Sequence, residues 1–132
     1  MKTHSIPVRV YYEDTDAGGI VFYANYLKFC ERGRTEYLRF CGFEHKQLRD
    51  EKGLIFVVRR LEADYLQPAH LDDELSVHTS VGEVKNASFA MRQDVVRGKT
   101  TVFGMTVWLV CVNLDGRPVR LPGDLKKVLE KG

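Results

Sequence analysis

Cys30, Cys41 and Cys111 are the only cysteines in this chain of 132 residues. An odd count without a CxxC spacing excludes a disulfide framework and a cysteine-built zinc site, and leaves three small buried thiols in a reducing compartment as the expectation. Long apolar runs are missing as well. Nothing approaches the roughly 18 consecutive apolar residues of a membrane span. The opening MKTHSIPVRV lacks the apolar core of a signal peptide, so the cytoplasm is the expected compartment. The chain carries no strong excess of one charge either. Its formal net charge is +2, and the arginine pairs Arg32/Arg34 and Arg59/Arg60 sit inside apolar or mixed-charge elements, so no nucleic-acid partner is expected. His4, His45, His70 and His78 follow no ligand spacing, and no metal is expected. There is no repeat and no Pro/Gly/Ser-rich linker, which makes residues 1–132 one domain with one core.

What the chain does have is a change of period. Ile6 to Glu13 alternates, with Val8, Val10 and Tyr12 on one face, as a strand with one buried side does. From Ala24 to Phe40 the apolar residues follow helical spacing through Tyr26, Leu27, Cys30, Tyr37 and Leu38. Arg32 and Glu36 stand at i, i+4 on the other face. Gly33 lies mid-helix, where a small residue permits close approach to a sheet, and Gly42 suits a helix stop. Residues 43 to 54 read as a polar connection with room for a short helix. Four strands follow: Ile55 to Gln67, Glu74 to Lys85, Ser88 to Arg97, and Thr100 to Asn113. The last is apolar on both faces and belongs inside a sheet. Pro122 to Lys131 reads as a short helix. One long helix with a run of antiparallel strands is α+β: a five-stranded sheet wrapped around the helix. Edge strands of this length call for pairing with a second subunit.

Between the first strand and the helix stands EDTDAGGIVFYANY, residues 13 to 26. Asp14, Asp16 and Gly18 look superficially like a calcium loop, but the twelfth position would be Asn25 where a bidentate Glu is needed. The paired glycines lack the lysine of a phosphate loop. Position is more informative. The turn ends just before a helix whose first amides have no partner within the helix, and no Ser, Thr or Asp precedes Ala24 to cap them. Such amides suit a carbonyl oxygen that becomes an oxyanion, with an upstream acid on the other side of the carbon, as in acyl transfer. The alternative is that Asp14 and Asp16 form the turn and Glu13 is a solvated strand end.

VRVYYEDTDAGGIVFYANYLKFCERGRTEYLR (residues 8 to 39) resembles the signature of the hotdog-fold acyl-CoA thioesterases, through the pattern DxDxxGxVxYxNY. It is most similar to the YbgC (Tol-Pal-associated) group and is related to 4-hydroxybenzoyl-CoA thioesterase. The similarity continues through FVVRRLEADYLQPAHLDDEL (56 to 75) and, more loosely, to the C-terminus. The resemblance implies a hotdog fold and hydrolysis of acyl-CoA thioesters without a cofactor. It puts the catalytic acid, nucleophile or general base, on Asp16, and the oxyanion donor on the backbone N–H of Tyr23. YbgC-like members commonly have His where Tyr23 stands, so an imidazole is absent from that position and acyl preference is not inherited with the motif. Tyr12 matches a family tyrosine near the site, although the alternation also fits it as a core residue. Gly19 falls beside the substrate. Arg59, Arg60, Lys85 and Asn86 are candidates to hold the phosphates of coenzyme A, against the alternative of plain surface charge. Asp14 is expected to orient the turn, and Glu31 to form a solvated ion pair. A homodimer or homotetramer with active sites at the interface is implied. Two other readings are a non-catalytic acyl-binding hotdog domain and a hotdog dehydratase; the lack of any His between His4 and His45 counts against the latter.

Overall fold

The first strand, β1 (Thr3–Arg9), opens the computed structural model, which describes residues 3–132. Val8 and Val10 enter the core as the alternation predicts. The strand does not run on to Glu13. After Arg9 the chain leaves the sheet and makes a single 3-10 turn over Tyr12–Asp14. The cause is local: the Asp14 carboxylate accepts the Tyr11 N–H at 2.8 Å, which folds the chain back and overrides the β preference of two consecutive tyrosines. Tyr12 is therefore 83 % exposed, which corrects its reading as a core strand residue.

Helix α1 (Asn25–Phe40) buries Tyr26, Phe29, Cys30, Tyr37 and Leu38, as helical spacing requires. On its outer side Glu36 pairs with Arg39 rather than Arg32, and the Arg32 guanidinium lies 5.9 Å from the Phe29 ring centre. The helix stops in a Schellman arrangement. Gly42 takes φ +95°, which only glycine adopts cheaply, and the Phe43 N–H donates to the Leu38 carbonyl at 2.8 Å. A short helix, α2 (His45–Lys52), occupies the polar connection. The remaining elements are β2 (Leu54–Tyr65), β3 (Glu74–Val84), β4 (Ser88–Arg97), β5 (Thr100–Asn113) and α3 (Gly123–Lys131), close to the bounds read from the sequence.

The five strands form one antiparallel sheet in the order β1-β3-β4-β5-β2. β5 lies inside the sheet, and β1 and β2 are its edges. α1 packs on β1, β3 and β4, which gives the α+β hotdog arrangement of a sheet curled about one helix. Close contact is possible because residue 33 has no side chain: a Cβ there would lie 2.8 Å from Val77 Cγ1. Beneath it runs a buried polar network. Gln93 Nε2 donates to the Cys30 carbonyl at 2.8 Å and to Thr79 Oγ1 at 3.0 Å. Its Oε1 accepts from Arg34 at 3.0 Å, and Arg34 also reaches Glu31 at 3.1 Å. Each buried group in this set finds a partner, as buried polar atoms must. Glu31 is thus an ion-pair residue of α1, as expected.

β2 contains a bulge. Phe56 and Val58 pair with Cys111 and Leu109, whose side chains are buried, so they face α1. Arg59 pairs with nothing, and Arg60 pairs with Trp108 on the outer face. The extra residue shifts the phase, so Leu61, Ala63 and Tyr65 again face inward opposite Val107, Met105 and Phe103. Because α1 lies toward the other edge, Val58 and Leu61 remain 47 % and 38 % exposed. No helix among the described residues is long and apolar enough to cross a membrane.

Candidate active site

One end of the sheet gathers the exit of β1, the ends of β2 and β4, the start of β3 and the N-terminus of α1. The two aspartates of the opening motif have different surroundings there. Asp14 is buried, 6 % exposed. Its Oδ2 holds the Tyr11 amide and its Oδ1 accepts from Asn25 Nδ2 at 2.8 Å, while its carbonyl accepts the Phe22 N–H at 3.0 Å. It locks the turn to the first residue of α1, the orienting role expected of it. Asn25 is the partner that the sequence reading missed.

Asp16 is exposed. Its N–H donates to the Ile20 carbonyl at 2.9 Å, and its carbonyl accepts from Gly19 at 3.0 Å. Gly19 sits at φ +78°, which completes this tight reversal. Asp16 Oδ1 accepts the Gly18 N–H at 2.8 Å. Oδ2 has no hydrogen-bond partner among the described residues. A bridge from Thr15 to Val21 folds the turn back on the segment that enters α1.

That helix begins without a side-chain cap, with Ala24 in the capping position. Among the described residues no acceptor takes the N–H of Tyr23 or Ala24. These donors stand at the positive end of the helix. Tyr23 is exposed, and its carbonyl accepts from the Tyr65 hydroxyl at 2.8 Å. Burial, then the neighbouring Tyr23, pushes the Tyr65 phenol above its usual range, which keeps it protonated as a donor. Tyr65 packs edge-on against Tyr23, Tyr26 and Phe103, and Tyr26 stacks on Phe103 at 4.9 Å. The helix start thus rests on an aromatic wall. Tyr65 was not among the residues picked out from the sequence; its only signal was the inward phase of β2, which the bulge concealed.

Tyr12 and Gly19 are exposed, like Asp16, on the segment between β1 and α1. Arg59, Arg60, Lys85 and Asn86 do not join them within the chain. β3 runs for 11 residues from the Asp16 end toward Lys85, about 35 Å of strand at ~3.3 Å per residue. Arg59 and Lys85 come together beside Trp108 in a shallow depression. Arg60 lies over the Trp108 ring at 4.8 Å and pairs with Glu62. The Asn86 side chain accepts from Lys126 at 3.0 Å. A cavity of about 480 Å³ lies elsewhere, between α2 and the start of β2, with Glu31, His45, Leu48 and Phe56 among its walls. Burial lowers the His45 pKa there. Among the described residues no three His, Cys, Asp or Glu side chains come together as a metal site would require.

The profile of the thioesterase superfamily matches residues 18–103, a span that includes Gly19, the helix and most of the sheet. The chain belongs to the thioesterase superfamily. Within the superfamily it is 49 % identical over 123 residues to a protein of Haemophilus influenzae called acyl-CoA thioesterase YbgC, covering 92 % of this chain and 90 % of the relative. The crystal structure of a probable thioesterase from Bartonella henselae superposes with a TM-score of 0.89 at 38 % identity, covering 92 % of this chain and 100 % of the other. The 4-hydroxybenzoyl-CoA thioesterase of Pseudomonas sp. strain CBS-3 superposes with a TM-score of 0.90 at 25 % identity, covering 97 % and 99 %. The resemblance read from the motif thus holds at the level of the family and the fold.

Proposed function

We propose that the chain hydrolyses acyl-CoA thioesters at the N-terminus of α1, with Asp16 as nucleophile or general base and the Tyr23 N–H as oxyanion donor. Hydrolysis of acyl-CoA is the activity named for its near relatives. The observation that carries the site assignment is the free Oδ2 of Asp16 on the turn that leads into helix amides without acceptors. The Gly18 N–H holds Oδ1 and so fixes which oxygen faces the substrate. With the thioester carbonyl directed at Tyr23 N–H, Oδ2 attacks the carbon directly or takes the proton of an attacking water. The oxyanion is held by the amide, and the CoA thiolate leaves without an acid. Base assistance of this kind contributes about 10² to 10⁴-fold and an oxyanion donor about 10² to 10³-fold. The scheme calls on no cofactor.

Tyr12 and Gly19 border the bound acyl group in this reading. Arg59, Arg60 and Lys85, too far along the sheet to serve their own Asp16, meet the phosphates of a CoA bound at a second copy's site. That copy pairs along β2, where Val58 and Leu61 lack cover. The assembly is a homodimer, or a homotetramer of two such pairs. Acyl-CoA and three cysteines that form no disulfide both fit the cytoplasm.

The test is thiol release from short, long and aromatic acyl-CoAs, wild type beside Asp16→Asn. Asparagine can still accept the Gly18 N–H, so the turn stays and only the charge goes. Turnover is expected to fall by about 10² or more. An equally active variant would transfer the chemistry to another group, and an inactive wild type would favour a domain that only binds acyl thioesters.

A further inference from the structure

The turn that carries Asp16 is gripped from outside by the segment between β2 and β3. Val21 donates its N–H to the Ala69 carbonyl at 2.8 Å, Ile20 forms an antiparallel bridge with His70, and the Leu71 N–H reaches the Gly19 carbonyl at 3.4 Å. Ile20 in turn accepts the Asp16 N–H. Residues 68–73 are thus a strap laid across the back of the reversal.

The strap is itself fastened to the sheet. Arg97, the last residue of β4, donates from Nη1 to the Pro68 carbonyl at 2.9 Å and to Asp73 Oδ2 at 3.0 Å. A single nitrogen therefore ties both ends of the strap. The same Asp73 oxygen accepts the His70 N–H at 2.8 Å. Burial would raise the Asp73 carboxyl, but the His70 amide and Arg97 outweigh it and hold it below its usual range, so the clamp is ionic. Asp72 sits at φ +71°, a left-handed conformation that a non-glycine residue adopts only when its surroundings fix it. Those surroundings are the Val10 carbonyl on its N–H at 3.0 Å and Arg9 on its carbonyl at 2.9 Å.

We infer that Arg97 and Asp73 are positioning residues for the reaction, setting the place of the Asp16 carboxylate relative to the Tyr23 amide through the 68–73 strap. The inference rests on the assignment of Asp16 given above. Neither residue touches the reacting atoms. Their effect passes through Ile20 to Asp16 and through Val21 to the entry of α1, so loosening the clamp changes the distance between carboxylate and oxyanion donor. Misplacement of a reacting group slows the chemical step more than it weakens binding.

The experiment measures kcat and KM for acyl-CoA hydrolysis in the full chain, well below its unfolding temperature. It compares wild type, Arg97→Ala, Arg97→Lys, Asp73→Asn, Asp16→Asn and the double variant Arg97→Ala/Asp16→Asn. Arg92→Ala, on the same strand but on the outer face, is the control. Arg97→Ala is expected to lower kcat about tenfold or more with KM changed by less than about twofold, and Lys to restore most of it. In the double variant the Arg97→Ala loss should vanish, because the group it positions has lost its charge. Should Arg97→Ala fail to fold, Asp73→Asn, which can keep the His70 hydrogen bond, gives the same reading. A lowered melting temperature with unchanged kcat in the folded variants would overturn the inference, as would equal losses with and without Asp16. Full activity of Asp16→Asn would instead remove the assignment on which it rests.

Discussion

Placing a methyl group at residue 33 tests how α1 is seated. In Gly33→Ala the new Cβ would stand 2.8 Å from Val77 Cγ1, 3.0 Å from Thr79 Oγ1 and 3.1 Å from Gln93 Nε2. Two effects of opposite sign compete. Alanine in a helix interior is worth about 1 kcal/mol over glycine. Overpacking a filled core costs about 1–3 kcal/mol. Here the upper part of that range applies. Val77 is fully buried and branched at Cβ, and Gln93 Nε2 is tied to both Cys30 and Thr79, so neither neighbour yields cheaply. The net loss should be about 1–2 kcal/mol, or about 3–10 °C in Tm for a domain of this size. Urea unfolding should show a lower midpoint at unchanged slope, since the surface exposed on unfolding hardly changes. Activity should fall as well, because a lifted helix carries its N-terminal amides with it. A variant as stable as wild type, or more so, would refute the close-packing argument: helix propensity would then have outweighed the contacts.

Two further outcomes are expected. Leu61→Lys puts a charge on the uncovered inner side of β2. It should turn the proposed dimer into monomers in sedimentation experiments and cut acyl-CoA hydrolysis with it, whereas an unchanged sedimentation coefficient would rule β2 out as the interface. Burial pushes the Cys30 thiol up to about 12 from 9.0, so the folded chain keeps a proton that the unfolded chain releases. Stability is then whole below pH 9 and lost as the pH rises toward 12. Between about pH 8 and about pH 10 this contributes a loss on the order of 1 kcal/mol, which should disappear in Cys30→Ala when unfolding is followed at both pH values.

Much of the fold was legible because most elements declare a single period. The helical stripe from Tyr26 to Leu38 and the alternation along β3 and β5 need no tertiary information. Gly33 could be recognised as a contact point because nothing else justifies glycine in mid-helix. Two places misled. Tyr11 and Tyr12 have strong β preference, but the Asp14 carboxylate caught the Tyr11 amide first and turned the chain. Arg32 and Glu36 have good helical spacing, but Arg39 competed for Glu36 from one turn on. In the site, the hold of Asp14 on the turn was foreseen; its burial and the exposure of Asp16 were not. Nor were Asn25, Tyr65, Asp73 and Arg97. Each acts through a partner at least 11 positions away along the chain, and no local pattern carries such a pairing.

The bulge at Arg59 bears on how relatives of this chain should be aligned. Because one unpaired residue separates the two halves of β2, the parity of positions changes there: even-numbered residues face the helix before it and odd-numbered ones after it. A relative one residue shorter at this point would need the opposite parity downstream to keep an aromatic ring where Tyr65 stands. A gap placed beyond residue 65, which changes an alignment score little, would assign that ring to the outer face of the sheet.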